Sequence, residues 1–371
     1  MSEHVVSKMT AVLARSSGRA SVFAKVGDSI TAHGHFLRCF AGDDIQWGEH
    51  AGLDEARGFF AKTRIDEGHV SFDRSSLAAR SGWSTRAPMQ GTPSLLEREV
   101  AAIHPGFAVV MLGTNDVYPA GVEPFERNLG AVLDRVLELG VVPLVSTIPP
   151  RNWSKQANSV IPEMNAVILA LAQSRQVPWM DYHAALAALP GHGLAKDGIH
   201  PQTYKERGLG HPCWLTENAL QQGINARNLI VLQALDRAKR FLVDRQLPEQ
   251  APPALQGSGD RNAPFVVPEL PFADARERSA TLIANAEGET VYSVSMASPA
   301  RVRVRVFGDE GADLRLRVQT GDQGEEEVQG GARVADVTIG PAGARLVVRM
   351  SSRDGASAGQ GFRVTMVALP P

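Results

Sequence analysis

Four short apolar runs constrain the first two thirds of this 371-residue chain more than any other feature. Val22 to Val26 stops at Gly27, Phe107 to Leu112 at Gly113, Val141 to Ile148 at Pro149-Pro150, and Val177 to Met180 at Asp181. Runs of this length, bounded by turn formers, read as strands buried on both faces. Amphipathic stretches lie between them. Val160, Ile161, Met164, Val167, Ile168 and Leu171 share one helical face, and Phe125, Leu129, Val132, Leu133 and Val136 share another. A further long helix is expected over Leu215 to Val243. Strand-helix alternation implies an α/β fold with a parallel sheet and helices on both faces. Residues 43–68 carry no period regular enough to assign.

The pattern changes after Arg245. Residues 247–271 are rich in proline, contain Gly257-Ser258-Gly259 and sustain no period, which is linker composition. Beyond them the period is two: Val302, Val304 and Val306 alternate with Arg301, Arg303 and Arg305, and Leu314, Leu316 and Val318 with Arg315 and Arg317. Short strands with Gly-rich turns predict an all-β sandwich. The expected organisation is an α/β domain over 1–246, a linker over 247–271 and a smaller β domain over 272–371.

A net charge of -2 gives no global field to recruit nucleic acid or an acidic membrane surface. No stretch of about 18 apolar residues is present to span a bilayer. The start, Met1-Ser2-Glu3-His4, is polar and does not read as a signal peptide. Cys39 and Cys213 are too few for a metal cage; they read either as one bridge in an exported protein or as two buried thiols.

Open parallel sheets place their sites at the C-terminal ends of strands. Three polar blocks fall there. Gly27-Asp28-Ser29 ends the first strand, and a helix is expected to follow through Phe36, Leu37 and Phe40. Ser29 at its N-terminus would offer both a hydroxyl and an N–H to a developing oxyanion. The bland reading of the serine is a helix cap. Gly113-Thr114-Asn115-Asp116 ends another strand, and the Asn115 amide can donate to the same oxyanion, although Asn and Asp also suit plain turns. In Asp197-Gly198-Ile199-His200-Pro201 the carboxylate can fold onto imidazole Nδ1 and leave Nε2 facing a serine. Together these supply a nucleophile, a base, a group orienting the base and an oxyanion donor, the parts that ester cleavage by serine needs.

These blocks, in this order, resemble the SGNH or GDSL-type hydrolase family over residues 21–205. Pro143 to Pro150 is also similar to that family's fourth strand. The resemblance implies a flavodoxin-like three-layer αβα sandwich and metal-free, cofactor-free ester hydrolysis, often carbohydrate deacetylation. It assigns Ser29, Asp197 and His200 as the catalytic triad, with the Ser29 N–H, the Gly82 N–H and Asn115 as oxyanion donors. Gly82 stands in Ser81-Gly82-Trp83; the asparagine the family often carries just before this glycine is missing from Leu77 to Arg80, and Gly91 is the fallback. Trp83, Tyr118 and Trp153 follow strand-end motifs and are candidates to stack on a sugar ring, as well as ordinary loop anchors. Residues 272–369 resemble pre-peptidase-type and carbohydrate-binding sandwiches of secreted enzymes. That implies polysaccharide contact and a secreted or periplasmic address, with a cytoplasmic one as the alternative.

Two motifs are decoys. Gly355 to Gly359 fits G-x-S-x-G but lacks the strand-to-helix turn the motif requires. His33 and His35 are two apart, which puts them on different faces of a helix and disfavours a metal pair. The arginines of 301, 303 and 305 read as a solvated strand face rather than a polyanion site. An acyltransferase to a sugar acceptor and an inactive carbohydrate-binding protein are the competing functions.

Overall fold

The structure, a computed structural model, describes residues 3–66, 68–117, 121–152 and 155–246, and beyond these the strands of a C-terminal region between 265 and 368. The chain divides into two compact units: residues 1–168 with 176–250, and residues 251–371 with the short stretch 169–175.

The first unit is an α/β domain. Its elements are α1 (Glu3–Arg15), β1 (Arg19–Gly27), a one-turn α2 (Ser29–Ala32), α3 (Asp54–Ala61), α4 (Leu95–Ile103), β2 (Pro105–Met111), α5 (Val122–Glu138), β3 (Val142–Ser146), α6 (Lys155–Ser174), β4 (Trp179–Met180), α7 (Tyr182–Ala187), a small hairpin β5 (Lys205–Glu206) and β6 (Leu209–Gly210), and α8 (Gly223–Ala238). The four main strands form a parallel sheet in the order β1-β2-β3-β4. Gly27 also makes a parallel bridge to Ala79, which puts residues 78–80 beside β1 on the edge away from β2. Strands β2 and β3 are buried along their whole length, as a sheet covered on both faces requires.

Two helix expectations fail. No helix runs from Ser29 to Phe40; α2 stops at Ala32, and only a 3-10 turn, Arg38–Ala41, follows. The reason is tertiary. The buried Asn228 of α8 accepts the Leu37 N–H (2.9 Å) and donates to the His35 carbonyl (3.0 Å), so backbone groups a helix would use go to another element. Leu37 then adopts a left-handed φ of 61°. The long helix likewise begins at Gly223 rather than Leu215; Trp214 forms a parallel bridge with Gln46, and the Leu215 N–H bonds the Gln46 carbonyl (2.6 Å). It then continues through a π-turn, Lys239–Val243.

A disulfide joins Cys39 to Cys213 (Cα–Cα 5.8 Å). Asp44 reinforces it, accepting from Trp214 Nε1 (2.9 Å) beside His211 Nδ1 (3.1 Å).

The second unit holds β7 (Phe265–Val267), β8 (Arg278–Ile283), β9 (Glu289–Val294), β10 (Ala300–Gly308), β11 (Ala312–Thr320), β12 (Glu326–Glu327), β13 (Val334–Ile339), β14 (Ala344–Ser352) and β15 (Gly361–Ala368). They form two sheets, β13-β10-β15-β8 and β12-β11-β14-β9-β7, antiparallel except for the β7–β9 pair. The period of two is realised: Val302 and Val304 are buried while Arg301 is exposed, and Leu316 and Val318 are buried. β7 corrects the linker expectation, since Phe265-Val266-Val267 lies within 247–271 yet pairs with β9. Prolines 264 and 268 flank it, and its edge position tolerates them. The pattern at Gly355 to Gly359 lies outside the described residues.

Candidate active site

Gly27 brings three loops together. It pairs with Met111 on one side and Ala79 on the other, so the segments that follow each partner leave the sheet side by side. A Cβ on Gly27 would collide with the Thr31 side chain and the Met111 carbonyl, so only glycine lets α2 turn this tightly off β1. Asp28 caps that turn, its Oδ1 accepting the Ile30 N–H at 2.9 Å.

Ser29 therefore sits at the sheet's C-terminal edge, half-buried. Its Oγ lies 2.9 Å from His200 Nε2. His200 Nδ1 lies 2.7 Å from Asp197 Oδ2. A carboxylate can only accept, so Nδ1 carries the proton and Nε2 is left as acceptor for the serine hydroxyl. The Asp197–His200 turn is self-supporting. Asp197 Oδ1 accepts the backbone N–H groups of Ile199 and His200, both at 2.9 Å. Burial works to raise the Asp197 pKa, but the N–H groups of His200 and Ile199 and the His200 ring outweigh it and hold the carboxyl below its usual value. The Asn152 N–H donates to the Gly198 carbonyl (2.8 Å) and ties this turn to the loop after β3. Such an array can pass a proton from hydroxyl to imidazole and back.

Gly82 and Asn115 lie in loops that are bound to each other. Asn115 Nδ2 donates to the Trp83 carbonyl (2.9 Å), and Asp116 accepts from both the backbone N–H and the hydroxyl of Thr85. Burial raises the Asp116 pKa against these bonds. Gly82 has φ +80°, a left-handed backbone suited to glycine. Among the described residues nothing accepts the N–H of Ser29 or of Gly82. Gly91 instead sits in the turn before α4, bridged to Ser94. Trp83 is partly exposed beside Gly82. Tyr118 and Trp153 lie outside the described residues. His33 and His35 meet edge to face at 5.3 Å, and His35 Nδ1 pairs with Thr203 Oγ1 at 2.9 Å. Burial, with His35, His200 and Arg227 nearby, lowers the His33 pKa.

One group beneath the site is absent from the sequence reading. Arg227 of α8 is buried under α2, donating to the Ile30 carbonyl (2.6 Å) and Thr31 Oγ1 (2.8 Å). Burial depresses its pKa to about 10, with Tyr182 and Asp28 opposing. The available signal was Asn225, Arg227 and Asn228 crowded into one turn of the helix, more polar groups than a single solvated stripe needs there.

The chain has no match among curated proteins. Solved structures similar to it include the acetylxylan esterase Axe2 of Geobacillus stearothermophilus (18% identity over 59% of this chain and 94% of that one, TM-score 0.38). An acetyl esterase variant with an acetate ion (19% identity, 58% and 98%, TM-score 0.40) and a GDSL-like lipase of Bacteroides thetaiotaomicron (16%, 64% and 100%, TM-score 0.36) are also similar. The model of the GDSL-like lipase/acylhydrolase family matches residues 26–204, the span that contains Ser29, Asn115, Asp197 and His200. Over those residues the chain matches the GDSL-like lipase/acylhydrolase family.

Proposed function

We propose that this protein is a serine esterase that removes acetyl or other short acyl groups from a carbohydrate. The observation that carries the reading is the Ser29–His200–Asp197 relay, with contacts of 2.9 and 2.7 Å. In the first half-reaction His200 Nε2 takes the Ser29 proton as Oγ bonds to the ester carbonyl carbon. The oxyanion is met by the N–H groups of Ser29 and Gly82 and by the remaining Asn115 amide hydrogen. Collapse breaks the carbon–oxygen bond, and imidazolium gives its proton to the departing alcohol. Water, deprotonated by His200, then attacks the acyl-Ser29 ester and releases the acid.

The carbohydrate part rests on the openness of the site. The side chains of His200 and Asp197 are 40% and 49% exposed. A bulky, hydrated alcohol can stay in solvent while its ester reaches Ser29, and Trp83 can meet a sugar face. The αβα layering and the sheet order with residues 78–80 outside β1 support a flavodoxin-like domain. The two C-terminal sheets support a β-sandwich domain. The Cys39–Cys213 bridge supports a secreted or periplasmic address.

The experiment is turnover of p-nitrophenyl acetate with fluorophosphonate labelling. Ser29 should be the labelled residue, Ser29→Ala should abolish turnover, and Asp197→Asn should cost about 10⁴ in kcat, as loss of the correct imidazole tautomer does elsewhere. Full turnover by Ser29→Ala would refute the assignment.

A further inference from the structure

We propose that Arg227 is a positioning residue for the nucleophile: its buried guanidinium clamps the Ser29–Ala32 turn and keeps the Ser29 Oγ and N–H aimed at the ester carbonyl. This rests on the esterase reading above and adds a residue outside the relay.

The turn it clamps cannot hold itself. α2 is four residues long; the Thr31 (3.1 Å) and Ala32 (2.9 Å) N–H groups return to the Asp28 carbonyl and the Ile30 N–H to Asp28 Oδ1 (2.9 Å), a single capped turn. One helical turn without tertiary support is unstable in water. The chain then leaves helical geometry at His33, so nothing downstream continues the ladder. Arg227 reaches in from α8 and takes one acceptor from each of the two residues after Ser29, the Ile30 carbonyl and Thr31 Oγ1. A planar fork bridges two acceptors at fixed separation, which a lysine ammonium cannot do in the same way. The fork is itself fixed. Its Cζ lies 3.8 Å from the centre of the Phe36 ring, and the Tyr182 ring lies 5.8 Å away. Arg227 is buried, so it acts through the turn and does not touch substrate. Misplacing a reacting group by about 1 Å can cost on the order of a hundredfold in rate.

The test compares Arg227→Lys, Arg227→Met and Thr31→Val with wild type, in the oxidised full-length protein. The readouts are kcat and KM on p-nitrophenyl acetate and the rate of fluorophosphonate labelling at Ser29. For the Arg227 variants kcat and labelling rate should fall about ten- to a hundredfold, with KM within about twofold and Lys retaining more than Met. Thr31→Val, which removes one acceptor and leaves Arg227 in place, should lose several-fold in kcat. It decides together with Arg227→Lys if Arg227→Met does not fold. Folded variants with wild-type kcat, or with raised KM at constant kcat, overturn the proposal while the esterase reading stands. A wild type that neither turns over ester nor labels at Ser29 overturns both.

Discussion

Asn115 spends one amide hydrogen on the Trp83 carbonyl and has one left. Its side chain therefore both holds the Gly82–Trp83 loop and, in the proposed mechanism, donates to the oxyanion. Asn115→Ala should lower kcat by roughly 10²–10³ with little change in KM, as seen on removing one oxyanion donor; raised KM at constant kcat in steady-state assays would reduce Asn115 to a binding residue. Lys25 raises a different residue-scale question. It is a lysine inside β1, its Nζ donating to the Phe72 carbonyl at 2.9 Å. Burial, then Arg38, lowers its pKa from 10.5 to about 7, with Arg74 adding to the shift and Glu99 and Asp73 opposing it. Between those values the unfolded chain binds a proton that the folded chain does not. The cost of burying the lysine is thus full below pH 7 and fades as pH rises toward 10.5. It amounts to roughly 5 kcal/mol at most. Wild type should therefore gain stability relative to Lys25→Met between pH 7 and 9.5. Urea unfolding can follow this by tryptophan fluorescence, since Trp47, Trp83, Trp153, Trp179 and Trp214 all lie in the first unit. A stability gap independent of pH would show that Lys25 keeps an ordinary pKa.

At the scale of elements, the Ser29 turn and the His200 loop are held from outside by α8 and the disulfide. Asn225 of α8 accepts the Tyr204 N–H (3.0 Å) and donates to the His211 and Trp214 carbonyls (2.8 and 2.9 Å). Asn228 serves Leu37, His35 and Pro212. One helix thus binds the chain after Ser29 to the chain after His200, and the Cys39–Cys213 bond repeats that link covalently across 174 residues. Closing a loop of that length is worth roughly 5 kcal/mol in the chain-entropy picture. Thiol titration of the unfolded, unreduced protein should find no free thiol, and reduction should lower the thermal midpoint and activity together. Two free thiols would remove the bridge and its support for export.

At the scale of the whole molecule, Ser29, Gly82, Asn115, Asp197 and His200 all belong to the first unit. A chain ending at Arg245 should keep its kcat/KM on p-nitrophenyl acetate within about twofold, the spread expected when no transition-state contact is lost. Its activity on an insoluble acetylated polymer should fall if the C-terminal sheets bind that polymer. A folded truncated protein without small-ester activity would show that the second unit helps to build the site.

What the sequence alone determined was the strand-helix alternation, the ends of the four strands and the polar blocks placed there. These follow from local rules: apolar runs must be buried, and glycine and proline end them. The Asp197–His200 unit was legible for the same reason, since its parts are three residues apart and fold on themselves. Only the tertiary structure decided where helices stop and what holds the site. Leu37 leaves helical geometry because Asn228, distant in sequence, takes its backbone N–H, and the chain at Trp214–Leu215 is extended against Gln46. The bridge from Gly27 to Ala79 ahead of Gly82, and the seat of Arg227 beneath α2, arise for a reason no period reveals. A buried polar group must find a partner, and the partner is chosen by whatever lies across the packed interface rather than along the chain.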